Sequence, residues 1–320
     1  MRNVEIPFVK LHGLGNDWIA VAGSDLHFLR LRLAEKTGFQ GAPSLDPKLP
    51  AFARAVCDRH TGLGADGLII VIKPKGKNND ALVRFFNADG SEAEMSGNGI
   101  RCAAAFMLVR AAQALAFAPP ELAIEGALRL KVLHIETAAG VRRVESISAG
   151  GGKWSFRVGM GAPVLEPTRI PFRAGKVEPP IVKFPLRLAG GTMNVTVTSM
   201  GNPHCSVLVD DFDALEWESL GREIERNDLF PNRTNVEFVK VVSRKQIEVR
   251  FWERGVGVTQ SSGTGSCAAA VACILNGVTG RKVRVDTVAG SLEVGWPKNG
   301  EATLTGPAEL IAEGTYHYGA

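Results

Sequence analysis

Residues 95–106 read MSGNGIRCAAAF, and residues 261–272 read SSGTGSCAAAVA. Each stretch places a serine before a glycine-rich turn and then continues into an alanine-rich apolar segment. The shift that places Ser96 on Ser262 also places VRFF, starting at Val83, on VRFW, starting at Val249. A strand, a turn and a helix start are therefore repeated, which predicts an internal duplication.

The length of the chain agrees with two domains rather than one, because 320 residues is long for a single core. We expect an N-terminal half of residues 1–148, joined by the closing segment 307–320, and a C-terminal half of residues 149–306. The stretch ISAGGGK, residues 147–153, is typical of a hinge or turn between the halves. The stretch 36–50 is typical of a surface loop.

Short segments with alternating or β-branched residues, bounded by Gly, Pro, Asn or Asp, predict strands along most of the chain. Helices are predicted at 49–60, after Gly97, at 212–227 and after Gly263. The helices after the two glycines are apolar on every face, so each belongs at the centre of its domain. The sequence thus predicts an α+β fold of two pseudo-symmetric domains, each a strand-rich shell or barrel around a central apolar helix.

Composition excludes several classes of protein. Hydrophobic residues make up 45% and charged residues 22%, and the net charge of +4 is spread without a basic cluster, which argues against nucleic-acid binding. No apolar stretch is long enough to span a bilayer and no signal peptide is visible, so we expect a cytoplasmic protein without a membrane partner. The five cysteines form no CxxC pair, which predicts reduced thiols and no metal site.

The twin turns have a possible chemical use. A helix N-terminus offers backbone N–H groups and partial positive charge, and glycines allow a ligand to approach the backbone closely. Two such turns could hold one small anion such as a carboxylate. The structural alternative is that Ser96 and Ser262 serve only as helix N-caps.

Polar residues accompany both turns. Asn87 stands before the first turn and Glu253 at the matching position before the second. GLGND contributes Asn16, GNPH contributes Asn202 and His204, and RTNVEF contributes Asn235. Taken singly, each asparagine is as typical of a structural turn residue as of a ligand-binding one.

These stretches together resemble the diaminopimelate epimerase family of cofactor-independent amino-acid epimerases. The resemblance covers nearly the whole chain. It is carried, in the family's order, by FVKLHGLGND, DRHTGLGADGLIIV, FFNADGSEAEMSGNGIRC, MGNPHCSVLV, RTNVEFV, ERGVGVTQSSGTGSCAAAV and LTGPAEL.

The resemblance implies two pseudo-symmetric domains with the active site in the cleft between them, no cofactor, and interconversion of LL- and meso-diaminopimelate for lysine and cell-wall precursor synthesis. It also implies a homodimer. In the family, one side chain at each turn exchanges a proton with one face of the α-carbon. By position these are Ser96 and Ser262, with His204 beside the first and Glu253 beside the second.

The resemblance further implies a set of substrate-binding residues. Side chains would bind the polar groups of a diacid, and the turns would contact its carboxylate. Arg254 suits the distal carboxylate, because a guanidinium can form two parallel hydrogen bonds with it. The side chains are Asn16, Asn87, Asn202, Asn235 and Arg254, and the turn residues are Gly97, Asn98, Gly263 and Thr264.

The chain departs from the family at the proton-transfer positions. The family has cysteine at both turns where this chain has Ser96 and Ser262, and it often has Glu where this chain has Val258. A serine hydroxyl is a far weaker acid than a thiol. Two alternatives therefore stay open beside epimerisation: a non-catalytic amino-acid-binding protein, and an isomerase or dehydratase of another amino acid with His204 or Glu253 as base.

Overall fold

The computed structural model describes residues 3–29, 48–115, 131–173, 175, 177–298 and 300–319. The chain forms two compact units. Unit 1 comprises residues 1–158 and 307–320, and unit 2 comprises residues 159–306. Residues 36–47 of the expected surface loop lie outside the described residues.

Unit 1 is a barrel built around a helix. Its first strand pairs with the second and the last, and the last also pairs with the eighth, so that eight strands close a ring. The strands are β1 (Asn3–Gly13), β2 (Asn16–Ala22), β3 (Gly67–Ile72), β4 (Ala81–Asn87), β5 (Glu92–Ala93), β6 (Val132–Thr137), β7 (Gly140–Gly150), β8 (Lys153–Gly161) and β17 (Ala302–Gly319); the helices are α1 (Lys48–Cys57) and α2 (Gly97–Leu115).

Unit 2 repeats the same order of pairings. β10 pairs with β11, which runs parallel to β12, and β12 pairs with β13, which runs parallel to β15. In unit 1 the corresponding order is β1, β2, β3, β4 and β6. The elements are β9 (Ile181–Leu188), β10 (Gly191–Ser199), β11 (Pro203–Val209), β12 (Asn235–Ser243), β13 (Gln246–Glu253), β14 (Gly257–Thr259), β15 (Lys282–Thr287), β16 (Gly290–Gly295), α3 (Trp217–Glu225) and α4 (Gly263–Leu275).

Helix α4 and the first part of α2 are buried as the sequence predicts, whereas Arg110 and residues 112–114 near the end of α2 are exposed. Residues 265–273 of α4 are all buried, and in α2 the side chains of Ile100 and Cys102 and of residues 103–105 have no exposed surface. Helices α2 and α4 contact strands on several sides, α2 from β1 to β4 and α4 from β10 to β16. The duplication and the α+β class are thereby confirmed.

Three local expectations differ from the structure. Residues 147–153 lie within the β7–β8 hairpin of unit 1, and Gly151 and Gly152 form its turn at φ +60° and +74°. The division between units falls instead between Val158 and Gly159, because β8 pairs with β7. The helix expected at 212–227 spans only Trp217–Glu225. Among the described residues, no helix is long and apolar enough to cross a membrane.

The third residue after each serine of the repeat is a glycine that lies against a phenylalanine ring. A Cβ added at Gly99 would lie 2.9 Å from the ring of Phe85, and one added at Gly265 would lie 3.0 Å from the ring of Phe251. Phe85 and Phe251 occupy matching positions of β4 and β13. The glycine therefore allows the first turn of each central helix to rest on the strand beneath it.

Gly99→Ala is expected to lower the free energy of unfolding by about 1–3 kcal/mol, because the added methyl overlaps Phe85 and outweighs alanine's better helix propensity. Urea denaturation measures the change. Gly150→Ala is the matched control in the same unit, since a Cβ there meets nothing within 4 Å, and it should stay within about 0.5 kcal/mol of the parent. Equal midpoints for both variants would contradict the packing argument.

Candidate functional site

Both serines of the repeat cap their helices. The Ser96 hydroxyl accepts a hydrogen bond from Gly99 N at 3.0 Å, and the Ser262 hydroxyl accepts one from Gly265 N at 3.2 Å. Ser262 has extended backbone angles of φ −136° and ψ 128°, as an N-cap requires. The capping role is thus real in both copies, and it places each hydroxyl oxygen at a helix N-terminus.

Each turn also carries backbone N–H groups at the start of its helix. The first N–H groups of a helix have no acceptor within the helix. In α2 these belong to Gly97 and Asn98, and in α4 to Gly263 and Thr264. The positive end of the helix dipole adds to them, so each turn can bind an anion through its backbone.

A buried arginine lies beneath the first turn. The Arg101 guanidinium has no exposed surface and donates to Gly97 O at 2.9 Å, Asn98 Oδ1 at 2.6 Å and Pro307 O at 2.8 Å. The Asn98 side chain is therefore held inward, which leaves its backbone N–H for a ligand. The matching position of α4 is Cys267, so the two turns differ in the charge below them.

Two predicted binding residues of unit 1 lie at one end of its sheet. Trp18 pairs with Gly67 and Gly67 with Asn87 across β2, β3 and β4. The amide of Asn16 donates to Asp66 Oδ2 at 2.9 Å and accepts from Trp18 Nε1 at 2.6 Å. The amide of Asn87 is exposed and donates to Ser91 Oγ at 2.9 Å.

The predicted residues of unit 2 are brought together by strand register. His204 pairs with Asn235 across β11 and β12, and Val236 pairs with Trp252 across β12 and β13. Glu253 ends β13 and pairs with Gly257, which opens the short strand leading to the Ser262 turn. His204, Asn235, Glu253 and Ser262 consequently lie at one end of this unit.

His204 is enclosed by polar partners. Its side chain has no exposed surface; Nδ1 lies 2.6 Å from Glu237 Oε1, and Nε2 lies 2.8 Å from Asn202 Oδ1. Ser206 Oγ donates to the other Glu237 oxygen at 3.0 Å. Because both ring nitrogens are engaged within the unit, His204 has no unoccupied nitrogen with which to remove a proton from a ligand.

The hairpin that carries Arg254 is held by two buried side chains. Asn235 Oδ1 accepts from Arg254 N at 3.0 Å, and Asn235 Nδ2 donates to Pro203 O at 3.0 Å. Glu225 Oε1 accepts from Gly255 N at 3.0 Å. The amide of Asn235 is thus used within the protein, whereas the Arg254 side chain is exposed and bonds to Asn232 O at 3.1 Å.

The Glu253 side chain is partly buried at the end of β13. Its Oε1 accepts from Thr259 Oγ1 at 3.1 Å, across the β13–β14 hairpin. This bond orients the carboxylate on the strand pair that leads to Ser262.

None of the cysteines replaces the missing thiols. All five are buried and none forms a disulfide bond. Burial raises the pKa of Cys102 to about 12, and it raises that of Cys205 well above the usual range with the charge of Glu237 adding to it. Among the described residues no group of three or more His, Cys, Asp or Glu is arranged to hold a metal ion.

Sequence reasoning missed three charged residues that support the site: Arg101, Glu225 and Glu237. Arg101 could have been found as the single charge near the start of an apolar helix, and Glu237 as a carboxylate between apolar residues of a strand, since buried charges need a reason. Glu225 belongs to an amphipathic helix with several acidic residues, and nothing in the sequence distinguishes it from them.

Comparison with known proteins identifies the family. The family model described as diaminopimelate epimerase matches residues 8–166 and 196–311. The chain belongs to the diaminopimelate epimerase family. A diaminopimelate epimerase from Pelotomaculum thermopropionicum is 40% identical over 313 residues, covering 97% of this chain and 99% of the relative. One from Halothermothrix orenii is 39% identical over 312 residues, covering 97% and 98%.

Solved structures of other proteins share the fold of this chain. A hydroxyproline epimerase from Agrobacterium vitis has a TM-score of 0.61 at 15% identity, with 98% of this chain and 93% of that chain covered. A methylitaconate-delta-isomerase has a TM-score of 0.56 at 16% identity, with 99% and 96% covered. The architecture is shared among isomerases whose sequences have diverged widely.

Glu225→Gln is expected to lower the free energy of unfolding by about 1–3 kcal/mol at neutral pH, because an amide cannot accept all the bonds that the buried carboxylate accepts. Burial raises the pKa of Glu225, but hydrogen bonds from Trp252 and Gly255, with nearby arginines, outweigh it and lower the pKa from 4.5. A lowered pKa means that the stabilisation is present above pH 4.5 and is lost as the pH falls.

Denaturant unfolding of both proteins across the acid range measures this difference. The gap between parent and Glu225→Gln should narrow below pH 4.5. Glu218→Gln is the matched control, since Glu218 is exposed on the same helix, and it should have little effect at any pH. A gap that is constant with pH would show that the charge of Glu225 is not what stabilises the hairpin.

Proposed function

We propose that this protein is a cofactor-independent isomerase that interconverts LL- and meso-diaminopimelate, in lysine and cell-wall precursor biosynthesis. The observation that carries the proposal is membership of the diaminopimelate epimerase family over nearly the full chain, at 40% identity to a relative of that name. The two helix N-termini with serine caps support it, because they supply the backbone donors that an amino-acid carboxylate needs.

The turns have a defined part in the proposed chemistry. Removal of the α-proton of an amino acid leaves negative charge on the α-carbon and its carboxylate. The N–H groups of Gly97 and Asn98, and those of Gly263 and Thr264, would stabilise that charge as it develops. These groups are fixed before the ligand arrives, so they need little reorganisation.

Ser96 and Ser262 would stand at the two acid/base positions. Each hydroxyl oxygen accepts a backbone N–H at 3.0 Å or 3.2 Å, and such a bond favours negative charge on the oxygen. A hydroxyl nevertheless ionises far less readily than a thiol at the same place. We therefore expect binding to be intact and proton transfer to be slow.

The remaining residues would bind and orient the substrate. Arg254 is exposed and suits a distal carboxylate, and Glu253 is oriented by Thr259 beside the second turn. Asn16, Asn87 and Asn202 would offer amide groups, while Asn235 would act by holding the backbone of Arg254. Buried His204, with both nitrogens engaged, gives no support to a reaction in which it is the base.

Exchange of the α-proton of diaminopimelate in D2O tests the proposal. The parent should exchange slowly, and the double variant Ser96→Cys with Ser262→Cys should exchange about 100- to 10,000-fold faster, the usual contribution of a positioned acid or base. Proton NMR follows the exchange, and calorimetry follows binding.

Ser261→Cys is the matched control, because it adds a thiol one residue from the second turn without changing the capping position. It should leave the rate unchanged. Binding without exchange, even in the double variant, would support an amino-acid-binding protein instead. Absence of both binding and exchange in the double variant would overturn the proposed function.

We also propose a cytoplasmic homodimer, supported by the resemblance to the family. Light scattering coupled to size-exclusion chromatography should give about twice the 34.2 kDa mass of the chain. A mass equal to one chain at micromolar concentration would contradict it.

A further inference from the structure

The amide of Asn16 is held in one orientation by two neighbours. Trp18 Nε1 donates to Asn16 Oδ1 at 2.6 Å, and Asn16 Nδ2 donates to Asp66 Oδ2 at 2.9 Å. An indole can only donate a hydrogen bond, and a carboxylate can only accept one. Turning the amide over would place its NH2 group against the indole N–H and its oxygen against the carboxylate. Only one orientation therefore satisfies both neighbours.

The Asp66 carboxylate is itself anchored by further donors. Its Oδ2 also accepts from Asp17 N at 3.1 Å, and its Oδ1 accepts from Arg59 Nη2 at 2.8 Å. Arg59 Nη2 also donates to Asp17 Oδ1 at 2.9 Å, and Asp66 N donates to the same oxygen at 2.9 Å. These bonds join the start of β2 to the residue before β3, so the acceptor for the Asn16 amide has a defined position.

The indole on the other side of the amide is fixed by packing. Trp18 is 3% exposed, and its ring lies edge-on to Phe85 with the ring centroids 5.9 Å apart. A Cβ added at Gly67 would overlap the Trp18 ring, so the glycine allows the indole to lie against β3. Phe85 is also the ring on which Gly99 lies. Trp18 and the first turn of α2 therefore share one packing partner.

Strand register places Asn16 beside that turn. Gly13 pairs with Asn16 across β1 and β2. A Cβ added at Gly13 would lie 3.4 Å from the Cβ of Asn98, the second residue of α2. The hairpin that carries Asn16 thus packs against the turn whose backbone N–H groups can bind an anion.

The amide of Asn16 has a second N–H group, which Asp66 does not use. Among the residues that the structure describes, no hydrogen bond from this second N–H is formed, and Asn16 is only partly buried. A donor at this place adds to a helix N-terminus that already favours negative charge.

We propose that Asp66 and Trp18 are positioning residues: together they orient the Asn16 amide so that its second N–H is offered, beside the first turn, to a carboxylate of the ligand. The contact of Asn16 with the ligand rests on the proposed function. The orientation of its amide by Asp66 and Trp18 does not.

NMR of the tryptophan indole N–H groups tests the orientation without a ligand. The chain has five tryptophans, and the Trp18 signal is identified by its loss in Trp18→Phe. A hydrogen-bonded indole proton resonates downfield of an unbonded one. The Trp18 signal should therefore move upfield in Asn16→Ala, which removes the acceptor, and in Asp66→Ala, which releases the amide. An unchanged Trp18 signal in Asn16→Ala would overturn the proposal.

Calorimetry with meso-diaminopimelate tests the consequence for binding through a double-mutant cycle. Asp66→Ala should weaken binding about tenfold, equivalent to about 1.4 kcal/mol, because the Asn16 amide loses its fixed orientation. In an Asn16→Ala background the same change should weaken binding less than about twofold, since no amide remains to be oriented. A purely structural role of Asp66 would weaken binding equally in both backgrounds, and that result would overturn the proposal.

Asp80→Ala is the matched control for Asp66→Ala. The two side chains are equally exposed, at 42%, and each accepts a backbone N–H, Asp66 from Asp17 and Asp80 from His134. Asp80 precedes β4 at the opposite end of that strand from Asn87. Its loss should keep both the Trp18 signal and the affinity for the ligand.

Trp18→Phe is a second variant, which decides the question if Asp66→Ala does not fold. It removes the donor to Asn16 Oδ1 and keeps an aromatic ring against Phe85. It should weaken binding when Asn16 is present and have little further effect in the Asn16→Ala background. Equal weakening in both backgrounds would overturn the proposal.

The two measurements separate this inference from the proposed function. If the parent does not bind meso-diaminopimelate, the proposed function fails, while the Trp18 signal still decides whether the amide is oriented as described. If the parent binds and Asn16→Ala binds equally well, the Asn16 amide does not contact the ligand and the inference is overturned.

Discussion

Burial of one apolar helix in each unit is the constraint on which the other features depend. Helices α2 and α4 lack a polar face over most of their length, so strands must surround them on several sides. The polar backbone groups at the start of each helix cannot be buried in the same way without partners. These groups lie in the glycine turns. Each serine hydroxyl there accepts a hydrogen bond from one N–H group, and the other N–H groups remain for a ligand.

The contact between glycine and phenylalanine makes this arrangement specific. Gly99 packs on Phe85 and Gly265 packs on Phe251. These contacts set the distance between each turn and the strand beneath it. Two residues beyond these phenylalanines, Asn87 and Glu253 end their strands. The spacing in sequence between the packing contact and the polar side chain is therefore the same in both units. The polar side chain itself differs, since it is an amide in unit 1 and a carboxylate in unit 2.

Much of the fold could be predicted from the sequence, whereas the residues that support the site could not. The duplication, both central helices and the class of fold follow from MSGNGIRCAAAF and its counterpart, because an apolar helix after a capped turn has few structural solutions. Strand β7 is harder to predict from the sequence, because its VRRVES stretch is half exposed and strongly charged. The partners of His204 and of the hairpin that carries Arg254 were also missed, because Glu237 meets His204, and Glu225 meets Gly255, through tertiary contacts that no local pattern records.

The hydrogen bond between Arg101 Nε and Pro307 O joins residues 206 positions apart. The last strand, β17, lies against β1 and supplies that carbonyl. During synthesis the residues of unit 2 leave the ribosome before Pro307 does. Until then the barrel of unit 1 cannot close, and the Arg101 guanidinium cannot form its hydrogen bond with Pro307 O. Contacts of such long sequence separation form slowly. The order of folding is therefore expected to be the reverse of the order of synthesis, with the N-terminal barrel completed last.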